Sequence, residues 1–318
     1  MSELQINSEF NSKRKISTWE KIGKDIKRNK YIYIMAIPMI VFFILFCYIP
    51  MYGVIIAFKD YSPTLGITGS PWVGLKHFSS FFHSMYFGRT IKNTFFLSIY
   101  SLLWGFPAAI ILALLLNEVR RDKFKRCVQT ITYLPHFISL VVICGMIIDF
   151  TGTDGLLNSI LSIFGVEPQN WLTKPEWFRT IYIGSGLWQS IGWDSIIYLA
   201  ALSGIDPTLY EAATIDGAGR WKQLLYVTLP GISPTIVTML ILSIGGLMSV
   251  GSEKIILLYN PLTYETSDVI SSYVYRKGLI NANYSFSTAV GLFESAIGFI
   301  LLVFANQLSK KISDTSLW

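Results

Sequence analysis

Six long stretches of this 318-residue chain are almost free of charged side chains, and short polar or basic segments separate them. Each stretch has the roughly 20 residues that a helix needs to cross the hydrocarbon core of a bilayer. Uninterrupted apolar runs fit helices, because strands of a membrane barrel alternate apolar and polar positions. The pattern predicts six transmembrane helices, at residues 31–58, 93–117, 127–148, 180–205, 231–252 and 288–309.

The composition supports the same fold class, an all-α integral membrane protein. Hydrophobic residues make up 52% of the chain and charged residues 14%, against about 25% charged in an ordinary soluble domain. A net charge of +6 could indicate nucleic-acid binding. Most of the basic residues, however, flank the apolar runs, which is how membrane proteins set their orientation. We therefore expect membrane lipid, and no nucleic acid, among the partners.

The basic residues also predict the orientation of the helices. They concentrate in residues 1–30, in the connection 118–126, in the segment 206–230 and in the tail 310–318. The positive-inside rule places these four regions, and with them both termini, in the cytoplasm of a cell-membrane protein.

The expected domain plan follows from the spans. A basic cytoplasmic tail occupies residues 1–30; it contains either an interfacial helix around 19–28, with Trp19, Ile22 and Ile26 on one face, or a solvated leader. Residues 31–92 would form the first transmembrane helix and an external loop. Residues 93–309 would form a core of five transmembrane helices that includes the cytoplasmic loop 206–230, and residues 310–318 a cytoplasmic tail.

The loop 206–230 carries the signals of a short helix. Asp206 can cap the free amides of a helix, and the following proline fits the first helical position. Glycines at 217 and 219 can end the helix after about Ile215, because glycine tolerates a left-handed backbone. Leu209, Ala212 and Ala213 would share one face of this helix.

A second helical stretch is expected from Arg220 to Thr228, with Trp221, Leu224 and Leu225 on one side. Pro230 should then break the chain where it re-enters the membrane.

This loop resembles the EAA motif of ABC-importer permeases, position by position and at the expected place before the penultimate span. The matching residues are Glu211, Ala212, Ala213, Asp216, Gly217, Ala218, Gly219, the bulky Trp221, and Leu229-Pro230. Other segments are similar to sugar permeases of this family: 72–78, 188–193 and 198–202. Residues 259–270 resemble the external loop of a branch that handles oligosaccharides derived from polysaccharides such as pectin and alginate.

The resemblance implies the ABC-importer permease fold and a permease subunit of an oligosaccharide importer. It implies a second homologous permease (a heterodimer), two ABC ATPase subunits that bind ATP-Mg, and an extracellular solute-binding lipoprotein. The short helix between Asp206 and Gly219 would dock in a cleft of an ATPase subunit, so that motion driven by ATP reaches the membrane helices. Glu211 would pair with a basic residue of the ATPase or cap local amides.

Polar and aromatic side chains within the predicted spans are candidates for the substrate path, because such groups are costly in a membrane. Packing between helices and placement at the membrane interface are the alternatives. For Asp194, buried pairing competes with a proton-relay role. The candidates are Trp188, Gln189, Trp193, Asp194, Ser249 and Glu294.

Several signatures of chemistry are missing from the sequence. It contains neither a Walker A motif nor a nucleophile elbow. The three histidines lack metal-ligand spacing and the three cysteines are scattered. We therefore expect no catalytic residue, metal or cofactor on this chain, with ATP bound by another subunit. The alternatives are a permease for another solute, a secondary sugar transporter, which would show internal repeats, and a membrane-bound enzyme.

Overall fold

The computed structural model describes residues 24–313, and this part of the chain is helical, with one isolated β-bridge between Lys59 and Trp72. The first half of the predicted interfacial helix around 19–28 lies outside the described residues, and residues 24–28 are helical. The α-helices, numbered in order, are α1 Lys30–Phe43, α2 Ile49–Met51, α3 Gly66–Gly69, α4 Lys76–Phe82, α5 Phe87–Glu118, α6 Asp122–Tyr133, α7 Leu140–Thr151, α8 Leu156–Ser162, α9 Pro175–Ser203, α10 Pro207–Ile215, α11 Arg220–Gln223, α12 Leu229–Gly245, α13 Ser252–Leu258, α14 Tyr264–Ser267, α15 Ile270–Tyr275 and α16 Tyr284–Ser313.

Short segments of tighter or wider helix connect several of these α-helices. The 3₁₀ segments are Tyr52–Phe58, Leu134–Phe137, Trp171–Thr173 and Pro261–Thr263, and the π segments are Ile44–Tyr48, Leu224–Thr228 and Arg276–Ile280.

The chain divides into two compact units, residues 1–55 and 56–318. In the described part of the first unit, α1 has no buried residue, and its side chains are almost all apolar. Such a surface suits contact with lipid tails, since a soluble helix would carry polar groups on at least one face.

Five helical segments of the described chain are long and apolar enough to cross a membrane: Lys30–Phe58, Phe87–Glu118, Leu140–Ser162, Arg220–Gly245 and Tyr284–Lys311. Four of them overlap the first, second, fifth and sixth predicted spans. The predicted span 180–205 overlaps α9 as far as Ser203. This 29-residue helix is not among the five because its Trp, Gln, Ser and Asp side chains reduce its hydropathy.

The predicted span 127–148 is wrong as one continuous helix. The chain leaves α6 at Leu134–Phe137, a 3₁₀ segment that contains Pro135, and α7 begins only at Leu140. Ser139 adopts an extended backbone, and its hydroxyl accepts a hydrogen bond from the Val142 amide. Because this N-cap starts a new helix, the apolar segment that can cross the membrane is shifted toward the C-terminus, to Leu140–Ser162.

The predicted break at Pro230 is also wrong. The helix continues through the π segment Leu224–Thr228 into α12, and the amide of Leu229 donates to the carbonyl of Leu224, five residues back. Widening the helix before the proline removes the clash that its ring would otherwise make with the preceding turn. Pro50 follows the π segment Ile44–Tyr48 in the same way.

Close approach of backbones joins the helices of the second unit. The most extensive contact is between α5 and α9, and the next is between α12 and α16. A Cβ atom on Gly192 of α9 would lie 2.1 Å from the carbonyl oxygen of Thr132 on α6, and one on Gly245 would lie 2.7 Å from Leu302. Small residues at such crossings are typical of membrane helices, where close packing replaces the hydrophobic effect.

A buried carboxylate ties the N-terminal ends of α5 and α9 to the segment 259–280. Asp268 is fully buried, and its carboxylate oxygens lie 2.9 Å from Arg89 Nη2 and 2.6 Å from Arg276 Nη2. Asn93 donates to the backbone carbonyl of Asp268 and accepts a hydrogen bond from Arg179 of α9. The negative charge is thus compensated by two arginines, as a buried carboxylate requires.

Replacing Gly192 with alanine should destabilise the protein by about 1–3 kcal/mol, because the new methyl group overlaps the Thr132 carbonyl oxygen and the two helices must separate. The melting temperature of the purified protein in detergent should fall by several degrees.

Gly184→Ala on the same helix is the matched control, since a Cβ there meets no atom within 4 Å. Its melting temperature should equal or exceed that of the wild type, because alanine favours the helix. Equal melting temperatures for the two variants would show that α6 and α9 do not approach as closely as described.

Candidate functional site: a surface helix and a set of polar cavities

The helix α10 begins as its sequence predicts. Asp206 is the N-cap, its carboxylate accepts a hydrogen bond of 2.9 Å from the Thr208 amide, and Pro207 occupies the first helical position. The hydrogen bond from this amide holds the pKa of Asp206 below its usual value. The cap is therefore charged at neutral pH, when it best satisfies the free amides and the positive end of the helix dipole.

The same helix ends at a glycine in the left-handed region. Gly217 has a φ angle of 74°. The Ala218 amide donates to the carbonyl of Ala213, and the Gly217 amide to that of Thr214, at 2.9 Å and 3.1 Å. These two bonds form a Schellman motif. Gly219 has an ordinary φ of −70° and caps α11, so it does not share the backbone role of Gly217.

Two side-chain contacts hold α10 against the helix that follows it. Gln223 donates to the Thr214 hydroxyl at 3.0 Å and to the Ala218 carbonyl at 3.1 Å. The Tyr210 and Thr228 hydroxyl groups are 3.1 Å apart. Because Gln223 and Thr228 belong to the helical run that continues into α12, these contacts connect α10 to a segment that can cross the membrane.

The outer surface of this region is apolar and unusually exposed. Leu209 is 51% exposed, Ile215 86% and Trp221 77%. Glu211 is exposed as well and makes no hydrogen bond or ion pair with any residue that the structure describes. Ala212, Asp216 and Pro230 are exposed, whereas Ala213, Ala218 and Leu229 are half-buried. Large apolar side chains grouped at a surface indicate a place where another protein binds.

Two predicted path residues, Asp194 and Ser249, line an open cavity of about 430 Å³ between α5, α9, the end of α12 and the residues that follow it, 246–251. The wall on α5 includes the small or hydroxyl-bearing residues Ser98, Ser101 and Gly105 beside the apolar Leu102 and Phe106. Asp194 lies near Ser190, one turn earlier on α9, and near His136. The cavity thus offers hydroxyl and carboxylate groups within an otherwise apolar bundle.

Two further cavities contain other predicted residues. Glu294 and Ser249 line a space of about 510 Å³ between α12 and α16. Gln189 lines a smaller space of about 270 Å³ together with Lys254 of α13. The smaller space shares Ser101, Gly105, Tyr182 and Ser190 with the 430 Å³ cavity, so the two adjoin one another.

The two tryptophans among the predicted path residues lie elsewhere. Trp188 is 47% exposed and Trp193 is 42% exposed, and neither lines these three cavities. The Trp193 ring stacks on His136 with their centroids 4.3 Å apart. The structure thus brings Asp194, Ser249, Glu294 and Gln189 to cavity walls and leaves Trp188 and Trp193 on the outside of the bundle.

Sequence reasoning missed the hydroxyl face of α5 and the buried lysine of α13. Ser98, Ser101 and Gly105 are separated by three or four positions, which places them on one helix face, and this spacing was visible in the sequence. Lys254 gave no such signal, because its position in a connection between two predicted spans suggested an ordinary exposed lysine.

Long helices that cross a membrane, a short surface helix tied to one of them, and polar cavities between them define a membrane transport subunit. Residues 105–314 match the family described as the binding-protein-dependent transport system inner membrane component. The chain belongs to this family and is a multi-pass membrane protein with the ABC permease fold, as the sequence predicted.

Relatives of high similarity have described transport roles. The polygalacturonan/rhamnogalacturonan transport system permease protein YteP of Bacillus subtilis (strain 168) is 46% identical, over 92% of this chain and 91% of that protein. A solved bacterial ABC transporter involved in the import of the acidic polysaccharide alginate contains a chain that is 47% identical, with a TM-score of 0.86 over 92% of this chain and 100% of that chain.

A second solved structure shows a bacterial alginate ABC transporter in complex with a periplasmic protein that carries an alginate pentasaccharide. Its matching chain is 47% identical, with a TM-score of 0.85 over 92% of this chain and 99% of that chain.

Replacing Asp206 with alanine should destabilise the N-terminal turn of α10. Loss of an N-cap costs about 1 kcal/mol, so amide hydrogen exchange across residues 207–215 should accelerate roughly fivefold. Asparagine at this position keeps a capping oxygen without the charge, and Asp206→Asn should stay within about twofold of the wild type. Wild-type exchange in Asp206→Ala would mean that the cap does not stabilise this helix.

Proposed function

We propose that this chain is a permease subunit of an ATP-driven importer of oligosaccharides. In this proposal it has six membrane-spanning helices, the five apolar segments and α9, with both termini in the cytoplasm. The concentration of basic residues at the same ends of the spans supports this orientation. The polar residues of α9 would be tolerated in a membrane because the helix packs extensively against α5 and lines a cavity.

Coupling to an ATPase subunit would occur through α10, and the observation that carries the proposal is its surface. Leu209 and Ile215 expose large apolar side chains on this short helix, which is capped at both ends, and Trp221 exposes one on the adjoining α11. The ties from Gln223 and Tyr210 make α10 part of the same rigid element as α12. A pull on the docked helix would therefore tilt a membrane helix. Coupling between distant sites requires such a rigid connection of packed elements.

The substrate would pass through the cavities between α5, α9, α12 and α16. Sugars are bound through hydroxyl, amide and carboxylate side chains, and Gln189, Asp194, Ser249 and Glu294 supply such groups at the cavity walls. The transport roles described for the relatives support an oligosaccharide derived from a polysaccharide. Trp188 and Trp193, which the sequence predicted to line the substrate path, would instead face lipid or a second permease subunit.

The assembly we propose contains this chain, a second homologous permease, two ATPase subunits and an extracellular solute-binding protein. ATP-Mg would be bound and hydrolysed by the ATPase subunits, and this chain would carry out no chemical step. Its part is mechanical, since α10 receives the movement and the helices around the cavities change their packing.

Replacing Gly217 with valine should uncouple the importer. The left-handed φ of 74° is unfavourable for a β-branched residue by about 1–2 kcal/mol, so the end of α10 must rearrange. In proteoliposomes of the whole importer, uptake should fall at least about tenfold and the ATPase subunits should co-purify less. The affinity for the loaded binding protein should stay unchanged.

Gly219→Ala is the control, because Gly219 has an ordinary backbone conformation and a Cβ there meets open space. It should keep wild-type uptake. Uptake and ATPase association equal to wild type in Gly217→Val would contradict the coupling role of this loop.

The topology can be tested with single cysteines in a background from which Cys47, Cys127 and Cys144 have been removed. Ala218→Cys should react with a membrane-impermeant maleimide only in inside-out vesicles. Leu262→Cys, at an exposed position, should react only in right-side-out vesicles. Labelling of both positions from the same side would overturn the six-span arrangement.

A further inference from the structure

One buried cation remains unexplained by the proposed mechanism. Lys254 of α13 is 93% buried, since its relative exposure is 7%. Its ammonium donates one hydrogen bond of 3.0 Å, to the backbone carbonyl of Tyr182 on α9, and lies 4.8 Å from the centre of the Tyr182 ring. An ammonium group has three N–H donors, so most of its hydrogen-bonding capacity is unused.

Lys254 has no counterion among residues 24–313, where it makes no ion pair with a carboxylate. By contrast, the buried charge of Asp268 is met by Arg89 and Arg276. A buried charge is costly unless it is paired. Within the described residues, the bundle thus compensates the buried anion at 268 and provides no anion for the buried cation at 254.

The ammonium lies at the wall of a cavity. Lys254 lines the 270 Å³ space together with Gln189 and Ser190. It rests against Gly186 of α9, where a Cβ would approach Nζ to 3.3 Å. Because Gly186 has no side chain, nothing on that residue separates the charge from the cavity.

The nearest predicted carboxylate of the path lies further along α9. Asp194 is eight residues beyond Gly186, the residue that the ammonium rests against, which corresponds to roughly 12 Å along a helix. A negatively charged substrate entering from the N-terminal end of α9, the outer end in the proposed topology, would therefore meet Lys254 before the carboxylate of Asp194.

We propose that Lys254 binds a carboxylate of the substrate in the permease cavity, and that the imported oligosaccharides contain uronic acid residues. This inference rests on the proposed import function and deepens it. The ammonium supplies the charge, and Gln189, Ser190 and Ser101 beside it supply hydrogen bonds for the neighbouring hydroxyl groups. A substrate carboxylate would complete the pairing that the protein leaves open.

The test compares charged and neutral forms of the same sugars. The complete importer is reconstituted in proteoliposomes, and maximal uptake is measured with its binding protein saturated by trigalacturonate, by a mannuronate trisaccharide, or by the methyl ester of each. Saturation removes differences in binding-protein affinity from the comparison, so the rates report on the permease and its partners.

Lys254→Met should lower uptake of the two acids at least about tenfold, the effect expected for losing a hydrogen bond to a charged group. Uptake of the methyl esters should change less than about twofold. Lys254→Arg should retain most of the uptake of the acids. Equal losses for acids and esters would show a structural role and overturn the proposal.

A second variant leaves the lysine in place and covers it. Gly186→Val should put its side chain against the ammonium and cause the same selective loss, while Gly184→Val, at an open position on the same helix, should not. If the importer with Lys254→Met does not assemble, the comparison of Gly186→Val with Gly184→Val tests whether Lys254 binds the substrate carboxylate. Wild-type selectivity in Gly186→Val would count against the proposal.

Lys59→Gln is the matched control for removal of a lysine, because the Lys59 ammonium also bonds only to backbone carbonyls and lines none of the three cavities. It should leave the ratio of acid to ester uptake unchanged. Import of neutral oligosaccharides alone by the wild type would refute the role of Lys254 but not the proposed function. Import of no oligosaccharide would refute the proposed function itself.

Discussion

The absence of water from the hydrocarbon core of a membrane is the constraint on which this structure depends. A backbone amide or carbonyl without a partner there costs several kcal/mol, so the crossing segments must form helices that satisfy their own hydrogen bonds. The chain keeps this pairing even at prolines. Ahead of Pro50 and Pro230 the helix widens into π segments, and the amides of Ile49 and Leu229 bond five residues back. Continuity through Pro230 joins α11, the helix that packs against α10, to α12 as one helical run.

The same constraint explains how polar side chains are distributed. At the N-terminal ends of α5 and α9, the carboxylate of Asp268 is satisfied by two arginines and a serine, so this cluster is suited to holding the bundle together. Beside the 270 Å³ cavity, the Lys254 ammonium has one hydrogen-bond partner among the described residues, a backbone carbonyl. A charged group that pairs with opposite charges holds the fold together, whereas a charged group with free hydrogen-bonding capacity beside a cavity is available to a ligand.

Transport by an ABC permease needs rigid elements that can repack, and the structure has both properties. The contact of α12 with α16 depends on Gly245 and Gly298, so their backbones approach closely. Interfaces of small residues can slide or tilt with little change in side-chain conformation, whereas hydrogen bonds of Tyr210 and Gln223 hold α10 to the helical run that continues into α12. In the proposed mechanism, movement would therefore occur between the membrane helices and not between α10 and this run.

The sequence alone determined the membrane class, the approximate spans and the form of α10, because these depend on local rules. Apolar length sets a span, Asp206-Pro207 starts a helix, and Gly217 ends one through its own backbone. Only the tertiary structure decided which side chains share a cavity. Trp193 stacks on His136, while Lys254, which reads as an ordinary loop lysine, is buried against α9. The new helix start at Ser139 and the π segment before Pro230 were also decided by packing and hydrogen bonding along the folded chain. Contacts between residues distant in sequence, such as Lys254 and Tyr182, leave no periodic pattern in the sequence from which they could be predicted.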